Sequence, residues 1–490
     1  MNLRTLLQAS GIAPGLADPD ISSLCHDSRL AKPGCLFFAL PGAKSDGTQF
    51  IAQAVERGAA AVVAQYSVSG NDYPLVLVDN ARAAMADISA EFYGHPDRDL
   101  KCVGITGTNG KTTTAYLVKH IFDSVGFHSG LIGTVKYIVA GEERPATHTT
   151  PESIDLQQML AEIRDTGGRS VAMEVSSHAL VQNRVRGMEF DAAIFTNLTQ
   201  DHLDYHETMD SYFDAKALLF EALAVQKGKK GRAVVNSDDR FGQRLIDRIS
   251  KKIKTVTFGQ NVHAEFRASN IRQDLYGTRF ALEARGKSYL VRTPLIGLFN
   301  VYNVLAALAA SMTCGVELRR AIDAIADAPQ VPGRLERVPS RRNFQVFVDY
   351  AHTDDALRNV LQTLREASPA RLITVFGCGG DRDRAKRPLM AFAAESLADL
   401  AILTSDNPRS ENPEEILKEM EKGLSHRNHE KIVDREQAIR RAIDLAGPGD
   451  IVLIAGKGHE KTQEFADSKV PFDDVAIAAR AISDKTGGDF

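Results

Sequence analysis

GITGTNGKTTT, running from Gly104 to Thr114, decides how the rest of the chain is read. The run KCVGI, from Lys101 to Ile105, predicts a short strand. The residues beyond Gly110 predict a helix with Val118, Ile121, Phe122 and Val125 on one face, closed by Gly126. A strand, a Gly-rich turn, a Lys-Thr pair and a helix together make a phosphate site. Gly107 and Gly110 let the backbone curl so that its N–H groups face the phosphates, and the helix N-terminus adds positive potential. In this reading Lys111 reaches the β- and γ-phosphates of ATP and the Thr112 hydroxyl ligates Mg²⁺. Thr108, Asn109 and Thr113 complete the loop. The general GxxxxGK[ST] pattern fails at one position, because Ile105 stands where its first glycine belongs. A chance Gly-rich turn is disfavoured by the strand and helix on either side.

Working outward, residues 1 to about 98 mix short strands and helices and end in ARAAMADISAEFYGHP. Gly94 and Pro96 are stop signals there, which places a boundary near Asp97. PQVPGRLERV, from Pro329 to Val338, is punctuated by Pro and Gly and marks a second boundary. At 490 residues, three domains are expected from a prior of about 150 residues each. They are 1–98, 99–331 and 332–490. The fold class is α/β, with a small first domain, a central P-loop-type domain on a mostly parallel sheet, and a Rossmann-like third domain. In that third region QVFVDYAH, RLITVFG, DLAILTSD and DIVLIAG alternate with helical stretches such as PLMAFAAESLA and REQAIRRAIDLA. Unbroken apolar strands separated by helices mean a parallel sheet covered on both faces. Ligands bind at the carboxyl ends of such strands, where YAHT, GCGGDRDR, DNPR and GKGHE lie.

Composition narrows the function further. A formal net charge of -4 argues against a general nucleic-acid binder. The one dense basic stretch, Lys227 to Arg232, reads as a solvated turn leading into a strand. The five cysteines (Cys25, Cys35, Cys102, Cys314, Cys378) show no C-x-x-C spacing, so a reducing cytosol is expected. The N-terminal apolar stretch is too short for a signal peptide, and no eighteen apolar residues run together. The expectation is a cytoplasmic protein that engages neither membrane nor nucleic acid.

Joined to the motifs downstream, the loop resembles that of the Mur ligase family, and nearly the whole chain resembles its MurE type. The motifs follow in the family's order: DSR at Asp27, HTTP at His148, EVSSHAL at Glu174, TNLTQDHLDYH at Thr196 and DAKALLF at Asp214. GLFNVYN at Gly297, GRLERV at Gly333, VDYAHT at Val348, GCGGDRDRAKRPLM at Gly377, DNPR at Asp406 and GKGHE at Gly456 complete the series. Where the family usually has a proline after YAHT, this chain has Asp354, which bears on the rigidity of that loop. The resemblance implies a monomeric cytoplasmic ligase of peptidoglycan precursor synthesis. Such an enzyme phosphorylates a substrate carboxylate with ATP and lets an amine displace phosphate from the acyl phosphate. Phosphoryl transfer asks mainly for positioning and charge neutralisation, so metal and cations are expected rather than a nucleophilic side chain. The absence of a GxSxG elbow fits.

By the same resemblance, Lys111, Glu174, His202 and Lys216 are the catalytic positions. Thr112, Glu174 and His202 look like Mg²⁺ ligands, with two ions expected and the second held by Lys216 as a carbamate (N6-carboxylysine). From the residues alone, His202 and His206 could instead be an i, i+4 zinc pair. The adjacent Glu of a metalloprotease helix is missing and a phosphate loop calls for a hard cation, so Mg²⁺ is favoured. Lys216 could equally be a snorkelling lysine on a helix of Ala and Leu. Asn300, Asn303, Arg334 and Asp349 are implied to contact the nucleotide. The acceptor implied is UDP-N-acetylmuramoyl-L-alanyl-D-glutamate. His26, Ser28, Ala43, Lys44 and Ser45 would hold its UDP, and His148, Thr149, Thr150, Ser176, Gln182 and Arg184 its muramoyl-dipeptide. DNPR is the meso-2,6-diaminopimelate form of the amine motif, with Arg382, Asp406, Asn407, Pro408, Arg409, Gly456 and Glu460 in the pocket. Arg409 offers a rigid fork that a terminal carboxylate fills and L-lysine leaves unpaired. Three alternatives stay open at this point: an L-lysine-adding ligase, a folylpolyglutamate-type ligase, and a P-loop nucleotide module without ligase activity.

Overall fold

The computed structural model describes residues 1–13, 17–42, 46–67, 73–425 and 428–485. Its first sheet has four parallel strands in chain order, Ser23–Cys25, Cys35–Phe38, Ala59–Ala64 and Leu75–Leu77. Apolar residues fill both faces because successive side chains alternate. Leu36, Phe38, Ala61 and Val63 pack with Leu6 and Ile88 on one side, and Phe37, Val62 and Ala64 with Ile51 and Ala54 on the other. The parallel pairing also brings Cys25 and Cys35 together, their sulfurs 2.9 Å apart as thiols. Sequence spacing gave no hint of this, since the two meet across strands.

The second sheet has eleven strands, with Lys101–Thr106 between Ala192–Phe195 and Ser170–Glu174. Pairing is parallel from Phe266–Asp274 across to Gly130–Ile132, and antiparallel hairpins finish both edges. One face packs Val103, Ile105 and Ile194 against the helices Lys111–Ser124 and Leu298–Thr313. The other packs Cys102, Met173 and Phe195 against Met209–Val225. Three consecutive sheet positions therefore end together, and their carboxyl ends lead into the Gly-rich loop, EVSSHAL and TNLTQDHLDYH. The helix after the loop buries Val118, Ile121 and Phe122 and ends at Ser124, with Gly126 at φ +80° just beyond.

The third sheet runs Glu336–Val338, Gln345–Asp349, Ile451–Ala455, Leu372–Phe376, Leu400–Leu403, His429–Lys431, parallel except for its first pair. YAHT, GKGHE, GCGG and DNPR follow its four central strands and so gather at one edge. Asp354 is the first residue of helix Asp354–Glu366, capped by Thr353. An acidic residue there favours the helix dipole, as proline would have favoured the backbone angle. One expectation is corrected. The basic run from Lys227 does lead into the strand Arg232–Asn236, but Lys229 is not solvated. Its ammonium donates to Asp191 Oδ2 at 2.7 Å and to the carbonyl of Leu100, tying strand ends together. No helix among the described residues is long and apolar enough to cross a membrane.

Candidate functional site

Gly107 and Gly110 sit at φ +147° and +87°, where L side chains are strained. Space excludes a side chain as well. A Cβ would lie 1.9 Å from Thr196 Oγ1 at Gly107, and 2.3 Å from Asn303 Oδ1 at Gly110. The loop is clasped from the neighbouring strand end, with Thr108 N donating to Asn197 O and Asn109 N to Asn197 Oδ1, both at 2.9 Å. Lys111 Nζ donates to the carbonyls of Gly107 and Thr108 at 2.8 and 2.7 Å. Lys216 reaches the same Gly107 carbonyl at 2.9 Å.

A cavity of about 360 Å³ opens over this loop. Thr108 to Thr113 line it with Thr149, Glu174, Ser176, His202, Lys216, Asn303, Arg334 and Asp349. Asn300 is not among them. It lies one layer behind, donating to Ile296 O at 2.8 Å and accepting from Asn303 Nδ2 at 3.0 Å. Arg334 crosses from the third sheet's side to donate to Thr112 Oγ1 at 3.1 Å, and its guanidinium lies over the Tyr350 ring at 4.7 Å. Asp349 steadies that crossing by accepting from Leu335 N and Ala351 N at 2.6 and 2.8 Å. Burial pushes its carboxyl up.

Glu174 is fully buried and accepts from Thr134 N at 2.8 Å and Thr134 Oγ1 at 3.0 Å. His202, at φ +54°, sits beside Asp201 at 3.4 Å. The side chain is nearly half exposed, but desolvation by the cavity wall, with Asp201 opposing and Lys111, His178 and Lys216 adding to it, pushes its pKa down to about 4, so the ring is neutral at physiological pH. His206 turns away, its Nε2 on Ser177 Oγ at 2.8 Å, and is a structural histidine rather than half of a zinc pair. Lys216 does not snorkel; only 1% of it is exposed. Burial first, and Lys111 second, hold its amine well below the usual lysine range, with Asp201 opposing. Its ammonium lies 4.4 Å from the Tyr212 ring centre.

Beside the cavity, Thr150 Oγ1 donates to Glu174 O at 2.9 Å and accepts from Ser176 N at 3.1 Å. Thr149 Oγ1 meets Thr134 Oγ1 at 3.1 Å, and the His148 carbonyl accepts from Tyr137 OH at 2.6 Å. Arg184 donates to Thr150 O at 2.7 Å and Gln182 Oε1 at 2.8 Å. Glu152 holds Arg184 at 2.9 Å and, at 3.1 Å, Arg82 from the first domain. Sequence reasoning missed Glu152, because nothing in TTPES marks it as a bridge. His26 lies within electrostatic reach of His148 and Asp155. Ser28 is buried on Gln53 Oε1 at 2.6 Å. Ala43, Lys44 and Ser45 fall outside the described residues.

At the third sheet's edge, Arg409 adopts φ +51° and donates from Nη1 to Gly380 O at 2.8 Å, with Glu464 3.3 Å from its Nε. Arg382 is exposed on the facing loop, donating to Asp381 O at 3.2 Å. Asp406 closes on its own neighbour, Asn407 N, at 2.6 Å, and leaves no room for a Cβ at Gly456. Pro408 is buried, with its carbonyl against Gly380. Asn407 Nδ2 donates to Glu460 Oε2 at 2.8 Å. His459 packs on Tyr350 at 5.1 Å between ring centres, and Tyr350 lines the cavity, so the GKGHE loop abuts the wall of the phosphate-loop cavity. Sequence reasoning also passed over Lys457, fully buried between Asn407 and Glu460. Its signal was a lysine between two glycines.

Three family descriptions match the chain: Mur ligase family, catalytic domain, over residues 20–93; Mur ligase middle domain, over 105–311; and Mur ligase, glutamate ligase domain, over 333–458. The chain is 46% identical to the UDP-N-acetylmuramoyl-L-alanyl-D-glutamate--2,6-diaminopimelate ligase of Solibacter usitatus, covering 98% of each. To the ligase of the same name from Geobacillus kaustophilus it is 48% identical, over 96% of each. A solved structure of a ligase with that name superposes with a TM-score of 0.69 at 35% identity, over 94% of this chain and 95% of the other. A folylpolyglutamate synthase from Mycobacterium tuberculosis shares the fold, with a TM-score of 0.62 at 18% identity over 83% of this chain and 96% of the other.

Proposed function

The chain belongs to the Mur ligase family, and on that footing we propose that it joins meso-diaminopimelate to UDP-N-acetylmuramoyl-L-alanyl-D-glutamate at the expense of ATP. The observation that carries this reading is the junction between two strand-end sites. Thr112 of the phosphate loop is bonded to Arg334, and Tyr350, under Arg334, carries His459 of the GKGHE loop. A carboxylate phosphorylated on one side would thus lie within reach of an amine held on the other.

The chemistry follows from the groups present. A D-glutamate carboxylate oxygen attacks the γ-phosphorus and ADP departs. The amine then attacks the acyl carbon, phosphate departs, and the nitrogen gives up a proton. Lys111 and the N-terminus of helix Lys111–Ser124 supply positive potential where phosphate charge moves. Arg184, fixed by Glu152 and Thr150, offers a cation to the anionic muramoyl-dipeptide beside Thr149 and Ser176. Arg409 and Arg382 offer guanidinium forks to the distal carboxylate of the amino acid, while Glu460 and Asp406 receive its ammonium.

Glu174, neutral His202 and Thr112, which line the same cavity, would hold Mg²⁺, which would supply charge neutralisation for the phosphates. Among the described residues no three His, Cys, Asp or Glu side chains cluster as a metal site, so a further anionic ligand is called for. Lys216 fits that need. It is a buried amine bonded to a backbone carbonyl, with Asp201 only partly offsetting its burial and the nearby Lys111, and a depressed pKa leaves the free base that attacks CO₂ to give a carbamate and a proton. Unbridged thiols and nucleotide-linked substrates suit a cytoplasmic setting.

Phosphate release tests the function directly. It should equal product formed, and require the UDP-muramoyl-dipeptide and diaminopimelate together. Release with L-lysine at the same rate would overturn the amine assignment.

A further inference from the structure

Lys457 has no exposed surface. Its Nζ donates to Asn407 Oδ1 at 2.8 Å and to Glu460 Oε2 at 2.9 Å. Asn407 Oδ1 also receives Glu464 N at 3.0 Å, so two donors meet it and its Nδ2 must turn to Glu460 Oε2. Lys457 and the Glu464 N–H together therefore fix which way the amide of Asn407 points. Both bonds to Glu460 land on one oxygen, which leaves Oε1 to accept from a ligand. The base of the loop is anchored from below. Arg435, itself buried against Asp474, donates from Nη2 to Ala455 O at 3.0 Å, one residue before Gly456. The clasp is thus built into the strand end and not onto a mobile surface.

Its charge has a consequence for selection. Diaminopimelate brings an ammonium and a carboxylate at its far end, with no net charge there. L-Lysine brings the ammonium alone. A pocket in which Glu460 stood uncompensated would draw the bare ammonium. With Lys457 2.9 Å from that carboxylate, the extra attraction is cancelled and Arg409 is left to demand a carboxylate.

We propose that Lys457 is a positioning and specificity-determining residue, which orients Asn407 and neutralises Glu460 so that the amine site accepts a zwitterionic terminus over a cationic one. This rests on the diaminopimelate reading above. Steady-state kinetics of the full-length enzyme and of Lys457→Met, Glu460→Gln and the double variant test it, with diaminopimelate and L-lysine as the amines. Lys457→Met should raise KM for diaminopimelate at least ~10-fold. The ratio of kcat/KM for diaminopimelate to that for lysine should fall at least ~10-fold, with KM for ATP within about twofold. Glu460→Gln should shift the ratio the other way, because Lys457 then stands uncompensated, and the double variant should return the ratio toward the wild-type value. An unchanged ratio in Lys457→Met, or equal rises in KM for all three substrates, overturns the inference. Should Lys457→Met fail to fold, Glu460→Gln alone decides: a ratio that does not move toward diaminopimelate overturns it. Wild-type enzyme that uses lysine as readily as diaminopimelate overturns the underlying reading instead, before any variant is compared.

Discussion

Lys216 and Lys457 are both buried out of water, yet their surroundings are opposite. Lys216 faces a backbone carbonyl, an aromatic ring and another lysine; Lys457 faces a carboxylate and an amide oxygen. An ammonium without an anion in a dry site is unstable as a cation, so Lys216 is held toward its neutral, nucleophilic form. An ammonium against Glu460 serves as a fixed positive strut. The nucleotide half of the molecule thus keeps a reactive amine, and the amino-acid half keeps a compensated charge network for recognition.

The sharpest way to break that comparison is Lys216→Met. Phosphate release should fall by roughly 10³-fold, the scale of losing a preorganised charge at a phosphoryl site. Thermal stability of the uncarbamylated protein should hold or rise, since a buried amine whose only hydrogen bond among the described residues is to the Gly107 carbonyl is removed. Lys457→Met should lower the Tm, because it removes one of the two donors to Asn407 Oδ1 and the counter-charge of the Glu460 carboxylate. Equal Tm changes in the two variants would erase the distinction.

Next in size is Arg409→Ala, which should raise KM for diaminopimelate by about 10²-fold while KM for ATP stays within about twofold. Equal effects on both would mean that Arg409 only braces the loop through Gly380 O. Smaller again is Gly110→Ala. Its φ of +87° and the 2.3 Å approach to Asn303 Oδ1 force the loop to shift. KM for ATP should rise about tenfold with KM for diaminopimelate unmoved. A variant with wild-type KM for ATP would show that the loop's curl does not serve the nucleotide.

Much of this was legible in the sequence, for a physical reason. Apolar strands followed by short polar motifs announce a parallel sheet with its chemistry at one edge, and the four motifs from YAHT to GKGHE did gather there. What stayed hidden depends on pairing across the chain. Cys25 meets Cys35 through strand register, Glu152 joins Arg82 to Arg184 across domains, and Lys229 ties strand ends. Lys216 and Lys457 show the same limit. Burial removes a lysine from water, but only the neighbours brought by folding decide whether it becomes a free amine or a paired cation.

That contrast predicts which half yields first to acid. The amino-acid half is held by carboxylates: Glu411 takes Arg387 at 2.8 Å and the Asp381 N–H at 2.6 Å, joining the GGDRDR and DNPRSE loops. The bonds from Arg387, aided by Asp381 N and Arg384 and opposed by burial, lower the Glu411 pKa from 4.5 to about 2. A carboxylate lowered in the fold lends stability that is complete above its unfolded pKa and is lost as pH falls through the folded one. The window therefore opens near pH 4.5 and closes toward 2. The nucleotide loop is clasped by backbone and amide groups, which do not titrate there. Amide exchange measured from pH 6 down to about 3 should accelerate across residues 377–411 before it does across 104–112. Glu411→Gln should lose about 2–4 °C of Tm at neutral pH, the effect being limited because the buried Arg387 keeps Glu419 as a partner at 2.7 Å. It should also flatten the acid slope. A slope unchanged by Glu411→Gln, or exchange rising first in the nucleotide loop, would show that charge compensation does not divide the two halves.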